Sequence, residues 1–234
     1  MDPRTNPYAH GAGTLPPDLA GRDDIIEKAA IALDRFRSGL SARSLLFVGL
    51  RGVGKLVGRA RHAKSYAERL FEYPEIGPLE SEAKKALEAP VEKLGVRYDK
   101  AALTEILKQT QAYPYFMQEW GKHSWQSASA SPIMRKDAVS ATDLAISELD
   151  ASFFRVRFVR LTPGEKRYLR AMAELGPGPH RSGEAARLLG KEVQTVAPTR
   201  ATLISKGMIY SLSHGDNSFT VPLFDGYMKR VMPE

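Results

Sequence analysis

Ile25, Ile26, Ala29, Ala30, Leu33 and Phe36 recur at gaps of three and four, which predicts a helix with one apolar face running through Arg37 and ended by Ser38-Gly39. The next apolar run has another period. Leu45-Leu46-Phe47-Val48 are consecutive and stop at a glycine-rich turn, the pattern of a buried parallel strand. Beyond the turn, Val57 to Lys64 is basic and broken by glycine, and one further strand-like piece, Arg69 to Tyr73, is closed by Pro74.

From Gly77 the spacing is helical throughout. A helix is expected from Pro78 to near Pro90, and another capped by Asp99 and carrying Ala102, Leu103, Ile106 and Leu107. Pro114 opens a third, whose Phe116, Met117, Trp120, Gly121 and Ser124 fall on one side as helix-packing core. Beside them, His123 reads as an interhelical packing histidine and Glu119 as a solvated residue. Pro132 and Asp137 introduce a fourth helix with Leu144, Ile146, Leu149 and Phe153, ending around Phe154 to Phe158. Residues 77–155 are thus expected to form a helical bundle.

The last segment has its own punctuation. Thr162-Pro163-Gly164-Glu165 is a capping box with Pro at the first helical position, so a helix should run to about Leu175, where Gly176-Pro177-Gly178-Pro179 stops it. Ser182 is expected to cap a second helix and Thr195 a third, with Pro198 in its first turn and Gly207 at its end. Met208 to Leu212 and Ser218 to Val221 then read as a hairpin, followed by a helix from Leu223 to Val231. Three helices and a hairpin make a winged helix. The fold class expected for the chain is therefore mainly α with a small α/β part, divided into residues 1–65, 66–158 and 159–234.

Two stretches carry candidate chemistry. Gly49, Gly54 and Lys55 fit G-x-x-x-x-G-K directly after the apolar strand, a loop whose backbone N–H groups cradle phosphates while the lysine neutralises them. The candidate nucleotide-binding residues are Gly49, Leu50, Arg51, Gly52, Val53, Gly54, Lys55 and Leu56. Position 56 is Leu where a Ser or Thr hydroxyl would ligate Mg²⁺, and no later strand ends in the acidic residue that would order the ion and the attacking water. ATP is the expected ligand; Mg²⁺ lacks its ligand. The second stretch is the third helix of the end module. Its outward residues are Thr195, Thr199, Thr202, Ser205 and Lys206, of which Thr195, Thr199, Thr202 and Lys206 are the candidate DNA contacts, while Val196, Ala197, Leu203 and Ile204 face inward with Arg200 as a half-buried structural arginine. That outward face has few arginine or amide side chains for base readout, so a protein partner stands as the alternative.

Composition narrows these readings. The formal net charge is +7, and Lys plus Arg less Asp plus Glu gives 11 − 6 = +5 for residues 1–65, 10 − 14 = −4 for 66–150 and 13 − 7 = +6 for 151–234. The basic character sits at both ends, where it permits contact with phosphates. No cysteine is present, and the five histidines are scattered, so no catalytic residue and no metal-ligand set emerges. No apolar run reaches the ~18 residues of a membrane span, and the polar Met1 to Pro17 is unlike a signal peptide, which gives the expectation of a cytoplasmic protein.

Gly21-Arg22-Asp23-Asp24-Ile25 ahead of the glycine loop resembles the "GR-x-x-E/D-I" lead-in of AAA+ ATPases of the origin-recognition-like and signal-transduction type, and Thr110-Gln111-Ala112-Tyr113-Pro114 is similar to the "T-x-G-Y-P" of their helical lids. The order of P-loop, lid and winged helix matches as well. The resemblance implies that Gly49 to Lys55 hold ATP phosphates, that Gly21 and Arg22 border the adenine, and that the lid closes over the nucleotide. It also implies a loss, because such ATPases carry many more residues between P-loop and lid, including the acidic strand and a sensor residue. Here Leu56 to Arg69 stand in that place, so the chain looks like an AAA+ ATPase with most of its catalytic core missing and hydrolysis lost.

Overall fold

Helical periodicity governs most of what the chain builds: the protein is mainly α, with strands of two to four residues. The computed structural model describes residues 1–8, 21–42, 44–45, 48–49, 71–72, 75–76, 82–211 and 215–233. Two compact units result, Met1–Ala30 with Pro78–Ala151, and Ile31–Gly77 with Ser152–Glu234.

Helix α1 (Asp23–Arg37) passes from the first unit into the second. Its apolar stripe forms as the spacing predicts, yet none of its residues is buried and Phe36 is 79% exposed. Amphipathic spacing specifies a helix without specifying what covers it.

The first unit is a four-helix bundle of α2 (Ala83–Glu92), α3 (Lys100–Thr110), α4 (Pro114–Ser127) and α5 (Arg135–Leu149). The expected start of α2 at Pro78 lies outside the described residues. Its end differs from expectation: Pro90 does not stop the helix but sits buried inside it, where it deletes one backbone donor and fills the core instead. Local capping chemistry behaves as read. Asp99 accepts from the Ala101 N–H at 3.2 Å, and Asp137 accepts from the Met134 N–H at 2.8 Å at the head of α5. Small residues let α5 approach closely: Ala138, Ala141, Ala145 and Leu149 are its fully buried positions, whereas Leu144, expected in the core, is half exposed one residue off that stripe.

An N-terminal strap, Met1 to Tyr8, closes this bundle. Trp125 Nε1 donates to the Asp2 carbonyl at 2.9 Å, and the Asn6 amide donates to the Lys122 carbonyl at 3.0 Å. Tyr8 is buried, and its hydroxyl lies 2.6 Å from both the Leu87 carbonyl and the Tyr98 hydroxyl. Gly121 makes this possible, because a Cβ there would stand 2.5 Å from the Tyr8 ring.

The turn from α3 to α4 is strained. Gln111 and Ala112 both take the left-handed conformation, at φ 51° and 52°, which costs a non-glycine residue about 1–2 kcal/mol. Ala112→Gly is therefore expected to raise stability by about 0.5–1 kcal/mol, the relief of strain exceeding the added chain entropy; a lower midpoint in urea would contradict it.

In the second unit, β1 (Ser44–Leu45) pairs in parallel with β3 (Phe71–Glu72), and β2 (Val48–Gly49) with β4 (Glu75–Ile76). Both pairings have the same offset, Ser44 to Phe71 and Val48 to Glu75, so they are successive parts of one parallel register. Pro74, expected to close the piece Arg69 to Tyr73, lies outside the described residues; the described part of that strand ends at Glu72, and a separate pairing begins at Glu75. After a wider helical turn at Asp150–Phe154 come α6 (Arg155–Phe158), α7 (Pro163–Leu175), β5 (His180–Arg181), α8 (Ser182–Leu188), α9 (Val193–Ser205), β6 (Ile209–Tyr210), β7 (Asp216–Phe219) and α10 (Phe224–Val231). The last three strands form an antiparallel sheet in the order β5-β7-β6; β5 leaves no mark in the sequence because two residues hold no period. The core here is aromatic: Phe154 lies 5.6 Å from Phe224 and 5.3 Å from Tyr227, centroid to centroid.

Candidate functional site

Helix α9 is positioned by apolar burial and by one polar network. It starts at Val193, three residues earlier than a Thr195 cap would allow, after Glu192 in extended conformation. Pro198 consequently lies inside the helix rather than in its first turn. Val196 and Leu203 are buried against the rest of the unit and Ile204 is half-buried, but Ala197 is exposed rather than inward-facing. Arg200 is the half-buried structural arginine expected. Its Nε donates to Asn217 Oδ1 at 2.5 Å and its terminal nitrogen to Ser211 Oγ at 3.0 Å.

Asn217 is 1% exposed and passes the network on, donating to Ser182 Oγ at 2.9 Å, while Ser182 Oγ donates to the Gly215 carbonyl at 2.9 Å. Ser182 is therefore no cap. The Glu184 carboxylate accepts from the Arg181 N–H at 2.8 Å at that helix start, which frees the serine to tie α8 to β7.

Of the candidate DNA contacts, Thr195 and Thr202 are exposed and Thr199 is half-buried. Thr202 Oγ1 turns back to donate to the Pro198 carbonyl at 3.0 Å. Lys206 is engaged: its ammonium donates to Glu165 Oε2 at 2.7 Å and to the Arg160 carbonyl at 3.1 Å. Burial pushes the Glu165 carboxyl up, but Lys206 and the Thr162 capping bonds outweigh that and hold it below the usual range.

The candidate nucleotide-binding residues are only partly in view. Gly49 ends β2, opposite Ile76. Leu50, Arg51, Gly52, Val53, Gly54, Lys55 and Leu56 lie outside the described residues. Gly21 takes φ 67°, and the carbonyl of the half-buried Arg22 accepts from the Ile26 N–H at 2.9 Å as α1 begins; both belong to the first unit, whereas Gly49 belongs to the second.

Sequence reasoning missed a buried charged cluster in the first unit. Glu119 is 2% exposed, not solvated, and Lys122 Nζ lies 2.7 Å from both Glu119 Oε2 and Glu148 Oε1. His123 Nε2 faces Glu148 Oε2 at 3.0 Å. Ligand atoms of Glu119, His123 and Glu148 lie within 4.8 Å of one another, close enough to hold a metal ion, but the Lys122 ammonium already bridges the two carboxylates. Burial works to lower the Lys122 pKa, and the two carboxylates outweigh it and hold it above the ordinary lysine value. Burial, and then the Glu119 and Glu148 charges, push the Tyr115 phenol up to about 12. The signal lay in the spacing: Glu119, Lys122 and His123 stand three and four apart on the α4 face that also carries Phe116.

Among known families, one described as a domain of unknown function (DUF8462) matches residues 151–228. No curated protein matches the chain. Solved structures with some similarity to the chain include RuvB from Thermotoga maritima. An arginine-to-alanine RuvB variant aligns at 15% identity and TM-score 0.40, covering 85% of this chain and 92% of that one. A RuvB structure titled Holliday junction branch migration motor aligns at 16% identity and TM-score 0.32, covering 82% and 70%. Among the described residues, no helix is long and apolar enough to cross a membrane.

Proposed function

We propose that this protein binds a nucleotide through a degenerate P-loop and does not hydrolyse it. The observation that supports this reading is the parallel register of residues 44–49 with 71–76. It puts Gly49 at the carboxyl end of a strand in a parallel pair, the edge from which phosphate-binding loops leave open α/β sheets. Gly49 to Lys55 then supply backbone N–H donors, with Lys55 as the neutralising cation and ATP the ligand, in a loop of the origin-recognition-like and signal-transduction type. Leu56 offers no oxygen to Mg²⁺, so binding should be indifferent to the ion. Titration calorimetry is expected to give an ATP Kd in the micromolar range, about −8 kcal/mol, equal with Mg²⁺ and with EDTA, and weakened at least about tenfold, or 1.4 kcal/mol, by Lys55→Ala. No heat at millimolar ATP, or turnover that needs Mg²⁺, would defeat the proposal.

A second reading is favoured by the C-terminal topology. The chain order α7-β5-α8-α9-β6-β7, with its three strands in one antiparallel sheet, is that of a winged helix, and the exposed Thr195 and Thr202 suit backbone contacts to DNA rather than base readout. In this reading residues 159–234 are a separate binding domain, with a protein partner as the competing occupant.

A further inference from the structure

Beside the end of α9 the second unit has a cleft of about 660 Å³, lined by Val156, Arg157, Arg160, Leu161, Ser205, Lys206, Gly207 and Met208. Among the described residues that line it, three are cations and none is acidic. Helices α6 and α9 both end here, and a helix C-terminus carries a partial negative charge that attracts basic side chains. That explains Lys206, whose ammonium is spent on Glu165 and the Arg160 carbonyl. It leaves the two arginines. Arg157 is fixed in place, donating to the Phe153 carbonyl at 2.5 Å with its guanidinium 3.6 Å above the Phe153 ring; one bond uses one of five N–H donors. Arg160 is exposed, and its guanidinium meets no carboxylate among the described residues.

We infer that this cleft is where the C-terminal unit holds the phosphate backbone of a nucleic acid, with Arg157 and Arg160 as the contacting cations and Lys206 as a support. The inference rests on the second reading above and moves its centre of contact. Thr195, Thr202 and Lys206 follow one another at helical spacing along α9, so the exposed hydroxyls of that helix lead toward the cleft rather than away from it. Hydroxyls position a backbone and arginines neutralise it, each with the geometry that phosphate oxygens accept. Nucleic acid is favoured over an acidic protein because Lys206, which lines the cleft, continues the spacing of Thr195 and Thr202 on a net +6 segment, 13 basic less 7 acidic residues over 151–234.

The test is fluorescence anisotropy of the full chain with a labelled generic duplex across a salt series. Removing one phosphate-neutralising cation should reduce the slope of log K against log salt by about 0.9. Arg160→Ala and Arg157→Gln are each expected to lower that slope by about one such step and weaken binding several-fold, while Arg187→Ala, an exposed arginine on α8, changes neither. Arg160→Ala removes no folded-state hydrogen bond of its side chain among the described residues, so its melting point should stay put; Lys206→Ala is a poor probe because it strands Glu165. A wild-type slope in both arginine variants overturns the cleft and leaves the winged-helix reading standing. Absence of any duplex binding at low salt overturns both. Poly-glutamate binding as tightly as DNA, with the same weakening in Arg160→Ala, overturns nucleic acid in favour of an acidic protein.

Discussion

Lys122→Met is expected to destabilise the first unit by about 3–5 kcal/mol, the cost of leaving a buried carboxylate without its counter-charge. Glu119 is 2% exposed and has Lys122 as its cation at 2.7 Å, so the variant must bury a bare charge or protonate it. Adding Glu119→Gln to Lys122→Met should recover most of the loss, because the stranded charge is then gone. The pH dependence separates the two proteins further. In the wild type, burial raises the Glu148 pKa but Lys122 and His123 outweigh it, so the folded value lies below the ordinary 4.5. A depressed carboxylate stabilises the fold above its unfolded pKa, and that stability is lost as pH falls through the folded value, hence in the range below about 4.5. In Lys122→Met the main attraction holding the Glu148 value down is gone, so less stability should be lost as the pH falls below about 4.5. Urea midpoints at pH 4, 5 and 7 give the comparison; a variant within about 1 kcal/mol of wild type at pH 7 would mean that water reaches Glu119.

Phe154→Ala carries the second large effect, about 3–5 kcal/mol in the second unit. Phe154 is fully buried and its ring meets Phe153, Phe224 and Tyr227 at centroid distances between 5.3 and 5.6 Å. Truncation removes the shared member of that cluster and opens a cavity among rings that cannot collapse far. Phe154→Leu should cost clearly less, since it keeps an apolar side chain at the centre of the cluster. Calorimetric melts of the two variants decide it, and an alanine loss no larger than the leucine loss would show that the neighbouring rings close the gap.

What the sequence makes legible is chemistry within one turn of chain. The Asp99 cap, the Thr162–Glu165 box and the Asp137 side chain that bonds the Met134 N–H all join residues at most three apart, so residue type and spacing carry the whole interaction. Ser182 has the residue type of a cap by the same rule, but partners 33 and 35 residues away claim it. The cluster of Glu119 and Lys122 is hidden for the same reason: its second carboxylate, Glu148, arrives on another helix. Leu144 and Ala197 show the reverse error, apolar residues placed one step off a stripe that small or distant neighbours define. Of the candidate sites, the composition of α9 is readable, but the engagement of Lys206 by Glu165 and the cleft beside it need the meeting of α6, α7 and α9.

The Lys122 bridge has a consequence for how the bundle responds to its surroundings. A cation tethered by its own side chain has no binding equilibrium with solvent, so chelators cannot strip it and dilution cannot release it. Added salt also reaches it poorly, as both Lys122 and Glu119 are buried. The first unit thus carries the counter-charge of its buried Glu119 in covalent form, inherited with the sequence rather than drawn from the medium.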